Sequence, residues 1–533
     1  MKLYQIATNS YPLNNKFSVN YLTLGTEKLY EESQDISVMR KQVNLKPGSD
    51  IRVMWQNIPF ALDFKIYVFN ITNVDEVKAG GKPRLQEVGP YIFDEWKDKY
   101  DVEDDDLEDT VSYTMRNTFQ FRADKSFPLT GEEMLVVPHM LVMLGAIAIK
   151  REREAMLDMV AEGMGVLFDG KAFMQVSAMD LLFKGFPVDC SKDVFSAKAI
   201  CSAFYTGDIK QAVQVNETSF LVSLFGASNG TDSEKFFHVG VKLGKVISYA
   251  DEPELDTWDG EECNNLKGTD GTVFPPMMSK EDGIWSVSPE LCRSLGASFS
   301  KRSKYMKFKT WHYTMTLPDI KEDPSLHCLC DDPEDPETCP LKGTFDLFKC
   351  TGGPLIASLP HFYEADPILL QSVDGLSPDK EQHEIFVDFE LTAGSPLNAA
   401  KRLQLNVEVE PIDQIEEMKN LRKVVLPFVW IEESVALNKT WTKLLNPLYY
   451  GKMFNKTLRL LLILVGLLGG VASVVIHQHQ SQVVGVTQTK ALSNVSSAVT
   501  HPQSAGSGPV AVHHGNGNTD GTERSNAFKY NSK

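Results

Sequence analysis

The stretch Leu403-Gln-Leu-Asn-Val-Glu-Val-Glu410 decides the fold class, because apolar and polar residues alternate along it without a break. This period of two is typical of a β-strand with one buried and one solvated face. The runs Phe64–Phe69 and Ile385–Leu391 are similarly rich in β-branched and aromatic residues, and turn clusters such as Gly352-Gly-Pro354 and Gly375-Leu-Ser-Pro378 separate such runs. Regular alternation of strands with helices is missing, so the sequence predicts an antiparallel sheet.

Beyond this stretch, the composition is that of a folded protein. The chain has 533 residues, of which 42% are hydrophobic and 23% are charged, and its formal net charge is -18. A surface with so many excess carboxylates repels phosphate instead of releasing counterions from it. The charge therefore argues against a nucleic-acid binder and favours neutral or cationic partners.

The eight cysteines all lie between Cys190 and Cys350. The closest two, in Cys328-Leu-Cys330, do not form the C-x2-C knuckle of a zinc site, so disulfides are the better interpretation, although eight cysteines allow about a hundred pairings. Five N-glycosylation sequons, at Asn70, Asn216, Asn229, Asn438 and Asn455, lie in one long segment that also contains all the cysteines. Together they predict an oxidising, glycosylating compartment such as the cell surface or an endomembrane lumen.

A membrane span is predicted at Leu460–Ile476, which reads LLLILVGLLGGVASVVI and would rise about 25 Å as a helix. A buried core helix is the alternative. Lys456 and Arg459 precede the span, and the positive-inside rule would therefore put the preceding domain in the cytosol. The cysteines and sequons contradict that orientation, because a large oxidised domain does not persist in a reducing compartment.

These signals divide the chain into an extracellular domain at 41–457, a membrane helix at 458–476 and a cytoplasmic tail at 477–533. The tail is rich in Gly, Ser, Asn, His and Gln, and we expect it to be disordered. Residues 1–40 contain neither the apolar core of a signal peptide nor a membrane span. Either Leu460–Ile476 acts as a late insertion signal, or the N-terminal sequence is incomplete or misassigned; we favour the second explanation.

One region, residues 138–168, has helical periodicity instead of the strand pattern. Several of its apolar residues share one helical face by their spacing. They are Met156, Met159, Val160, Met164 and Leu167, and we add Met140, Met143 and Phe168 as candidate ligand contacts. Core packing is one interpretation of this methionine-rich segment. The other is that flexible thioether side chains form a surface for apolar ligands of varied shape.

Catalytic motifs are weak. Gly226-Ala-Ser-Asn-Gly230 matches the G-x-S-x-G nucleophile elbow, but a glycan at Asn229 would crowd Ser228 and no helical pattern follows. His361 is a lone histidine among apolar neighbours, which predicts a hydrogen-bonded core residue. We expect that the protein is not an enzyme and that it has no catalytic residues, no metal-binding residues and no cofactor. A hydrolase acting through Ser228 is the last alternative.

Five further runs are distinctive: Gly89-Pro-Tyr-Ile-Phe93, Gly268-Thr-Asp-Gly-Thr-Val-Phe-Pro-Pro276, Leu291-Cys-Arg-Ser294, Ser358-Leu-Pro-His361 and Gly375-Leu-Ser-Pro378. In their order and spacing, over about residues 45–476, they resemble the class B scavenger receptor family. Other runs resemble the insect branch of this family that is associated with pheromone-sensing neurons. They are Trp55-Gln-Asn-Ile-Pro-Phe60, Phe93-Asp-Glu-Trp96 and Leu182-Phe-Lys-Gly185, with the additional pair Cys190 and Cys201.

The resemblance implies an α+β fold: a large antiparallel β-barrel ectodomain with a helical apex bundle at about 138–185, a disulfide-rich part at 190–350 and an internal hydrophobic tunnel. A membrane span before the ectodomain is also implied, which residues 1–40 lack. The implied disulfides join Cys263 to Cys328, Cys292 to Cys350 and Cys330 to Cys339, with Cys190 and Cys201 as the remaining pair.

For function, the resemblance implies a membrane receptor or co-receptor in sensory neuron dendrites. We expect it to capture long-chain pheromones or fatty-acid-like lipids at the apex and to pass them through the tunnel to an odorant receptor complex. One alternative is a general lipid or lipoprotein uptake receptor. Another is an adhesive or scaffolding membrane protein.

Overall fold

The structure, a computed structural model, describes residues 44–240 and 244–496. Two compact units divide the chain, the first running to Tyr449 and the second beginning at Tyr450. The expectation about residues 1–40 and the expected disorder beyond residue 496 lie outside the described residues.

Strands dominate the described part of the first unit. They are β1 (Leu62–Ile71), β2 (Leu85–Asp105), β3 (Thr110–Phe121), β4 (Met134–Pro138), β5 (Phe173–Ser177), β6 (Phe186–Asp189), β7 (Ala212–Gln214), β8 (Ser219–Val222), β9 (Asp232–Gly240), β10 (Val246–Tyr249), β11 (Ile284–Ser288), β12 (Arg293–Tyr305), β13 (Phe308–Met315), β14 (Thr344–Asp346), β15 (Leu355–Ser358), β16 (Ile385–Glu390), β17 (Ser395–Val409) and β18 (Val424–Ala436).

The α-helices are mostly short. They are α1 (Asp50–Gln56), α2 (Val74–Lys78), α3 (Ala123–Ser126), α4 (Met140–Arg153), α5 (Leu157–Phe168), α6 (Phe195–Tyr205), α7 (Glu261–Asn264), α8 (Phe348–Thr351), α9 (Pro367–Ser372), α10 (Lys380–His383), α11 (Lys439–Thr442) and α12 (Asn446–Ser496). Short 3-10 segments occur at Glu154–Met156, Pro289–Leu291, Pro324–Leu329, Pro336–Thr338, Pro360–Phe362 and Lys443–Leu445, and a π-helical turn occurs at Asp180–Lys184.

Thirteen strands form one large sheet in the order β10-β9-β3-β2-β1-β18-β17-β16-β13-β12-β11, with β14 and β15 attached through β17. Neighbouring strands in this sheet pair in antiparallel fashion, which confirms the predicted barrel-like antiparallel architecture. Two smaller sheets are separate from it. One consists of β4 and β5, and the other has the strand order β6-β8-β7.

The extended segment Gly268–Thr269 bridges the two ends of the large sheet. On the β10 side, the Val246 N–H donates to the Gly268 carbonyl at 2.9 Å. On the β11 side, the Thr269 N–H donates to the Trp285 carbonyl at 3.1 Å, and the Val287 N–H donates to the Thr269 carbonyl at 2.9 Å. The sheet is therefore nearly closed, and this segment pairs edges that would otherwise be open.

Strand β17 contains the alternating stretch, but its predicted solvated face is wrong at two positions. Gln404 and Asn406 are fully buried. The Gln404 Oε1 accepts from the His361 N–H at 2.7 Å, and the Asn406 Nδ2 donates to the Ile356 carbonyl at 2.8 Å and to the Ser358 Oγ at 3.0 Å. The chain around 356–361 thus covers this face, and hydrogen bonds compensate the buried amides.

Helix α12 contains the segment Tyr449–Val483, which by length and apolar composition is a candidate membrane span and matches the predicted helix at 458–476. The helix continues to Ser496, so the expected disorder of the tail is wrong for residues 477–496. Between Gly470 and Gly485 the sequence has neither glycine nor proline, so nothing there interrupts helix propagation.

Replacing Gly268 by alanine should destabilise the fold by roughly 3 kcal/mol. Gly268 has φ +90°, and a Cβ there would lie 2.0 Å from the Trp285 carbonyl oxygen, inside the bridging segment. Gly271→Ala is the matched control, because Gly271 has φ +82° but its nearest neighbour, the Ser286 Cβ, is 3.7 Å away. Thermal unfolding of the full-length protein in detergent measures the difference; equal losses in the two variants would contradict the role of this contact.

Candidate functional site

The predicted ligand-contacting segment forms two helices, α4 and α5, joined by the 3-10 turn Glu154–Met156. Four of its predicted residues are buried in the main apolar core, and three are partly buried against it. The buried four are Met140, Met143, Val160 and Met164, and the partly buried three are Met159, Leu167 and Phe168.

Met156 does not share this face. Its side chain is 39% exposed, because the chain turns at Arg153 (φ -146°) and α5 begins only at Leu157. The prediction from helical spacing is therefore wrong for Met156, because the spacing is interrupted at this turn.

Gly163 explains the close contact of α5 with α6, since a Cβ at Gly163 would lie 2.6 Å from the Ser196 carbonyl oxygen.

His139 connects β4 to α4 and lies beside the predicted contact Phe168. Its ring centroid is 5.0 Å from that of Phe168 and 5.7 Å from that of Phe186. The Nδ1 atom is buried without a hydrogen-bond partner within the described residues. Burial in this aromatic surrounding lowers the pKa of His139 to about 4.

An aromatic cluster joins the π-helical turn Asp180–Lys184 and the segment around Phe225 to the large sheet. Phe64 of β1 and Phe93 of β2 lie near Phe119 and Phe183, with ring centroids 4.8 Å apart for Phe64 and Phe119 and 4.4 Å apart for Phe93 and Phe183. Phe225 completes the cluster at 5.6 Å from Phe64. Nothing in the sequence marks these residues as a group, because single phenylalanines scattered over five segments have no local pattern.

Strand β2 distinguishes the inner face of the sheet from the outer one. Asp94 faces outward, where it pairs with the partly exposed Arg122 and Lys125. Because side chains alternate along a strand, its odd-numbered residues face the interior. They are Tyr91, Phe93, Glu95, Lys97 and Lys99.

Two fully buried charges meet on this inner face next to the bridging segment. The Lys99 Nζ is 3.7 Å from the Asp270 Oδ2, and both side chains have no exposed surface. Lys99 also donates to the Trp55 carbonyl and to the Thr272 Oγ1, each at 3.0 Å, and the Tyr113 hydroxyl donates to Asp270 at 2.5 Å. Burial alone would raise the pKa of Asp270, but Lys99 and Tyr113 hold it below its usual value.

A second group of charges lies farther along the inner face, and we call it the interior charge cluster. It consists of Glu95, Lys97, Glu290, Lys401 and Glu433. The Lys97 Nζ is 2.7 Å from Glu433 and 3.5 Å from Glu95. The Lys401 Nζ is 3.5 Å from Glu290 and 3.5 Å from the Ser288 Oγ, and Ser288 donates to Glu290 at 2.8 Å.

The contact between Lys401 and Glu290 crosses the inside of the barrel. Lys401 belongs to β17, and Glu290 lies in the 3-10 turn that follows β11. Three other strands separate β17 from β11 in the sheet. The charge of Glu290 also acts on Lys97 of β2 and on Tyr249 of β10, so strands from both directions around the sheet surround it. Nevertheless 61% of the Glu290 side chain and 43% of the Lys401 side chain are accessible, which means that side chains do not fill the space around them.

Proton affinities in the interior charge cluster follow from burial and charge. Burial raises the pKa of Glu95 to about 8, with the negative charge of Glu433 adding to it and Lys97 opposing it. For Glu290, the charges of Lys401 and Lys97 outweigh burial and hold the pKa at about 2. Burial therefore favours the neutral form of Glu95, whereas Lys401 and Lys97 favour the carboxylate form of Glu290.

Outside the barrel interior, the predicted role of His361 is confirmed. His361 is buried, its Nδ1 accepts from the Ser377 N–H at 3.0 Å, and its Nε2 therefore carries the proton that it donates to Glu87 at 2.5 Å. Ser228 lies in a turn and donates to the Phe225 carbonyl at 3.0 Å, and strand β9 follows instead of a helix.

Within residues 44–240 and 244–496, no group of three His, Cys, Asp or Glu side chains is arranged to hold a metal ion.

Four disulfides join the same pairs that the resemblance implies. They are Cys190–Cys201, Cys263–Cys328, Cys292–Cys350 and Cys330–Cys339.

Of the sequon asparagines, Asn216, Asn438 and Asn455 are exposed, whereas Asn70 and Asn229 are partly buried. The Oδ1 atoms of Asn70 and Asn229 accept from backbone N–H groups, at 2.9 and 2.8 Å respectively.

The sequence profile of the CD36 family matches residues 21–477. The chain belongs to the CD36 family. Among curated relatives, it is 45% identical over 489 residues to sensory neuron membrane protein 1 of Anopheles gambiae and 43% identical over 483 residues to that of Aedes aegypti, in each case over 89% of this chain and 88% of the relative. To sensory neuron membrane protein 1 of Manduca sexta it is 41% identical over 451 residues, covering 83% of this chain and 86% of the relative. Family membership confirms the resemblance to class B scavenger receptors.

Replacing Asp270 by asparagine should destabilise the protein by about 3–5 kcal/mol, because Lys99 would then remain buried without its counter-charge. Glu416→Gln serves as the control, since it removes a surface pair with Lys419 that contributes less than about 1 kcal/mol. Denaturant unfolding of the two full-length variants tests this, and a loss below about 1 kcal/mol for Asp270→Asn would contradict a buried pair.

Lowering the pH should destabilise the wild type more than His139→Phe. Between the unfolded pKa of about 6.5 and the folded pKa of about 4, the unfolded state binds the proton and the folded state does not. Stability is therefore lost as the pH falls through this window, by up to about 3 kcal/mol. Unfolding curves at pH 7.5 and 4.5 give the comparison, and an identical pH dependence of both proteins would show that His139 titrates normally.

Proposed function

We propose that this protein is a receptor or co-receptor that binds long-chain hydrophobic odorants, such as lipid-derived pheromones, and passes them through the barrel interior to an odorant receptor complex. The observation that carries the proposal is the accessible space around Glu290 and Lys401 on the inner face of a nearly closed sheet. A protein whose only role is adhesion has no need of such a space.

The physical advantage of an enclosed route is the removal of alkyl chain from water. Each buried methylene contributes about 0.8 kcal/mol, so a chain of about twelve carbons favours an apolar interior by roughly 10 kcal/mol. The apolar core that includes Phe64 and Phe93, together with α4 and α5, supports such a route. Within α4 and α5, we assign first contact with ligand to the residues that are not fully buried: Met156, Met159, Leu167 and Phe168.

Family membership and sequence similarity support a place in sensory neurons. The relatives reported above are named sensory neuron membrane protein 1, and they align with more than four-fifths of this chain. We propose a dendritic cell-membrane location with residues 41–457 outside the cell, glycans at the sequons including Asn216 and Asn438, and α12 as the membrane anchor. The exposure of both asparagines is compatible with glycosylation.

General lipid uptake is the second candidate function, because membership of the CD36 family does not by itself specify an odorant. Expression separates the two candidates. A transcript confined to sensory neurons supports odorant reception, and a transcript in gut or fat tissue supports lipid uptake.

Replacing Ala399 by tryptophan should abolish the neuronal response to long-chain ligands. Ala399 pairs with Val387 and Val435 and shares the inner face of β17 with Lys401, so the indole would project into the space near Lys401. Ala436→Trp is the matched control, because Ala436 is exposed and lies on the opposite face of the adjacent strand.

The measurement is the electrical response of cells that express the variant together with an odorant receptor, at equal surface amounts of both variants. A full response with Ala399→Trp would refute passage through the barrel. A loss with both variants would indicate general damage instead of a blocked interior.

A further inference from the structure

Lys401 has unused hydrogen-bond capacity inside the barrel. An ammonium group has three donors, and an ordinary N–H···O bond is about 2.7–3.2 Å long. The two contacts of Lys401, with Glu290 and with Ser288, are both 3.5 Å. Lys97 differs, because its Nζ lies 2.7 Å from Glu433 and only 14% of its side chain is accessible.

Glu290 has spare acceptor capacity beside it. One carboxylate oxygen accepts from Ser288 at 2.8 Å, and 61% of the side chain is accessible. Lys401 and Glu290 therefore present a donor and an acceptor to the same space.

Two other polar atoms show that the protein's own groups do not satisfy all the hydrogen-bonding capacity of this region. The Glu95 Oε2 is buried without a partner in the described part of the chain, and so is the Asn117 Oδ1 on the neighbouring strand. Glu95 is only 2% exposed, and Asn117 pairs in register with Lys97. Unpaired buried polar atoms are rare in native proteins and commonly mark a bound water or ligand.

The charges of the cluster balance. Lys97 offsets Glu433, Lys401 offsets Glu290, and burial favours the protonated form of Glu95. A neutral polar group can enter this balanced surrounding without creating an uncompensated charge, whereas an ionised group cannot.

We propose that Lys401 and Glu290 bind the neutral, oxygen-containing head group of a long-chain ligand, an alcohol, aldehyde or ester, inside the barrel. The Lys401 ammonium donates to the carbonyl or ether oxygen, and Glu290 accepts from the hydroxyl of an alcohol. The inference rests on the proposed function, because it requires a hydrophobic ligand in the interior, and it adds selection of the ligand by its head group.

The test compares tetradecyl acetate with n-hexadecane, which have the same number of carbon atoms. Radiolabelled forms of both are bound to the full-length protein in lipid nanodiscs, and the signal of empty nanodiscs is subtracted. We expect the wild type to bind the acetate about tenfold more tightly than the alkane, since a hydrogen bond to a charged group has that effect.

Lys401→Met should remove this preference by weakening acetate binding about tenfold while leaving hexadecane binding unchanged. Lys419→Met, at a surface ion pair, should leave both affinities unchanged. Glu290→Gln is the second variant, which keeps the side-chain volume, and it should reduce the binding of 1-tetradecanol more than that of the acetate.

The results separate this inference from the proposed function. Equal binding of the two ligands by the wild type, or an unchanged acetate affinity in Lys401→Met, overturns the head-group site but leaves the proposed function intact. A Lys401→Met variant that weakens acetate and alkane by the same factor also overturns it. Failure of the wild type to bind either ligand overturns both.

Discussion

Closure of the sheet at Gly268–Thr269 is the constraint on which the interior depends. Backbone hydrogen bonds of these residues join the β10 and β11 ends, and the next residue, Asp270, binds Lys99 and Tyr113 on the inner face. The same short segment therefore closes the barrel and neutralises a fully buried lysine. Because an isolated buried charge is costly, the segment cannot shift without leaving Lys99 unpaired. This coupling of backbone closure to a buried ion pair holds the two ends of the sheet together.

Enclosure in turn explains how one interior contains both apolar and charged regions. Around Phe64 of β1 and Phe93 of β2, the inner face is aromatic, because these rings lie near those of Phe119 and Phe183. Farther along β2 it carries Glu95 and Lys97, so the hydrophobic interior implied by the family resemblance is interrupted by charge. A ligand that is apolar along its chain and polar at one end matches this division. A pure hydrocarbon would match only the aromatic part.

The sequence predicted the type of sheet, the candidate membrane helix and the family, but not the inner face. Alternation at 403–410 is clear, yet it does not reveal that Gln404 and Asn406 are covered by the chain near Ser358. In Asp94-Glu-Trp-Lys-Asp-Lys99, charges occupy both phases of the alternation, so the pattern alone cannot tell inward from outward residues. The contact of Lys401 with Glu290 depends on strand order around the barrel, which one sequence does not specify. Met156 does not share the face that the helical spacing predicts, because a 3-10 turn interrupts that spacing.

The most direct measurement of an accessible hydrophobic interior is photolabelling with a long-chain alkane that carries a diazirine, followed by mapping of the adducts by mass spectrometry. The full-length protein in nanodiscs is irradiated with the probe, and unlabelled alkane serves as competitor. We predict competed adducts on inward-facing residues of β1, β2 and β17, in addition to those on α4 and α5. Adducts confined to the membrane helix and to outward-facing side chains would contradict a ligand route through the barrel.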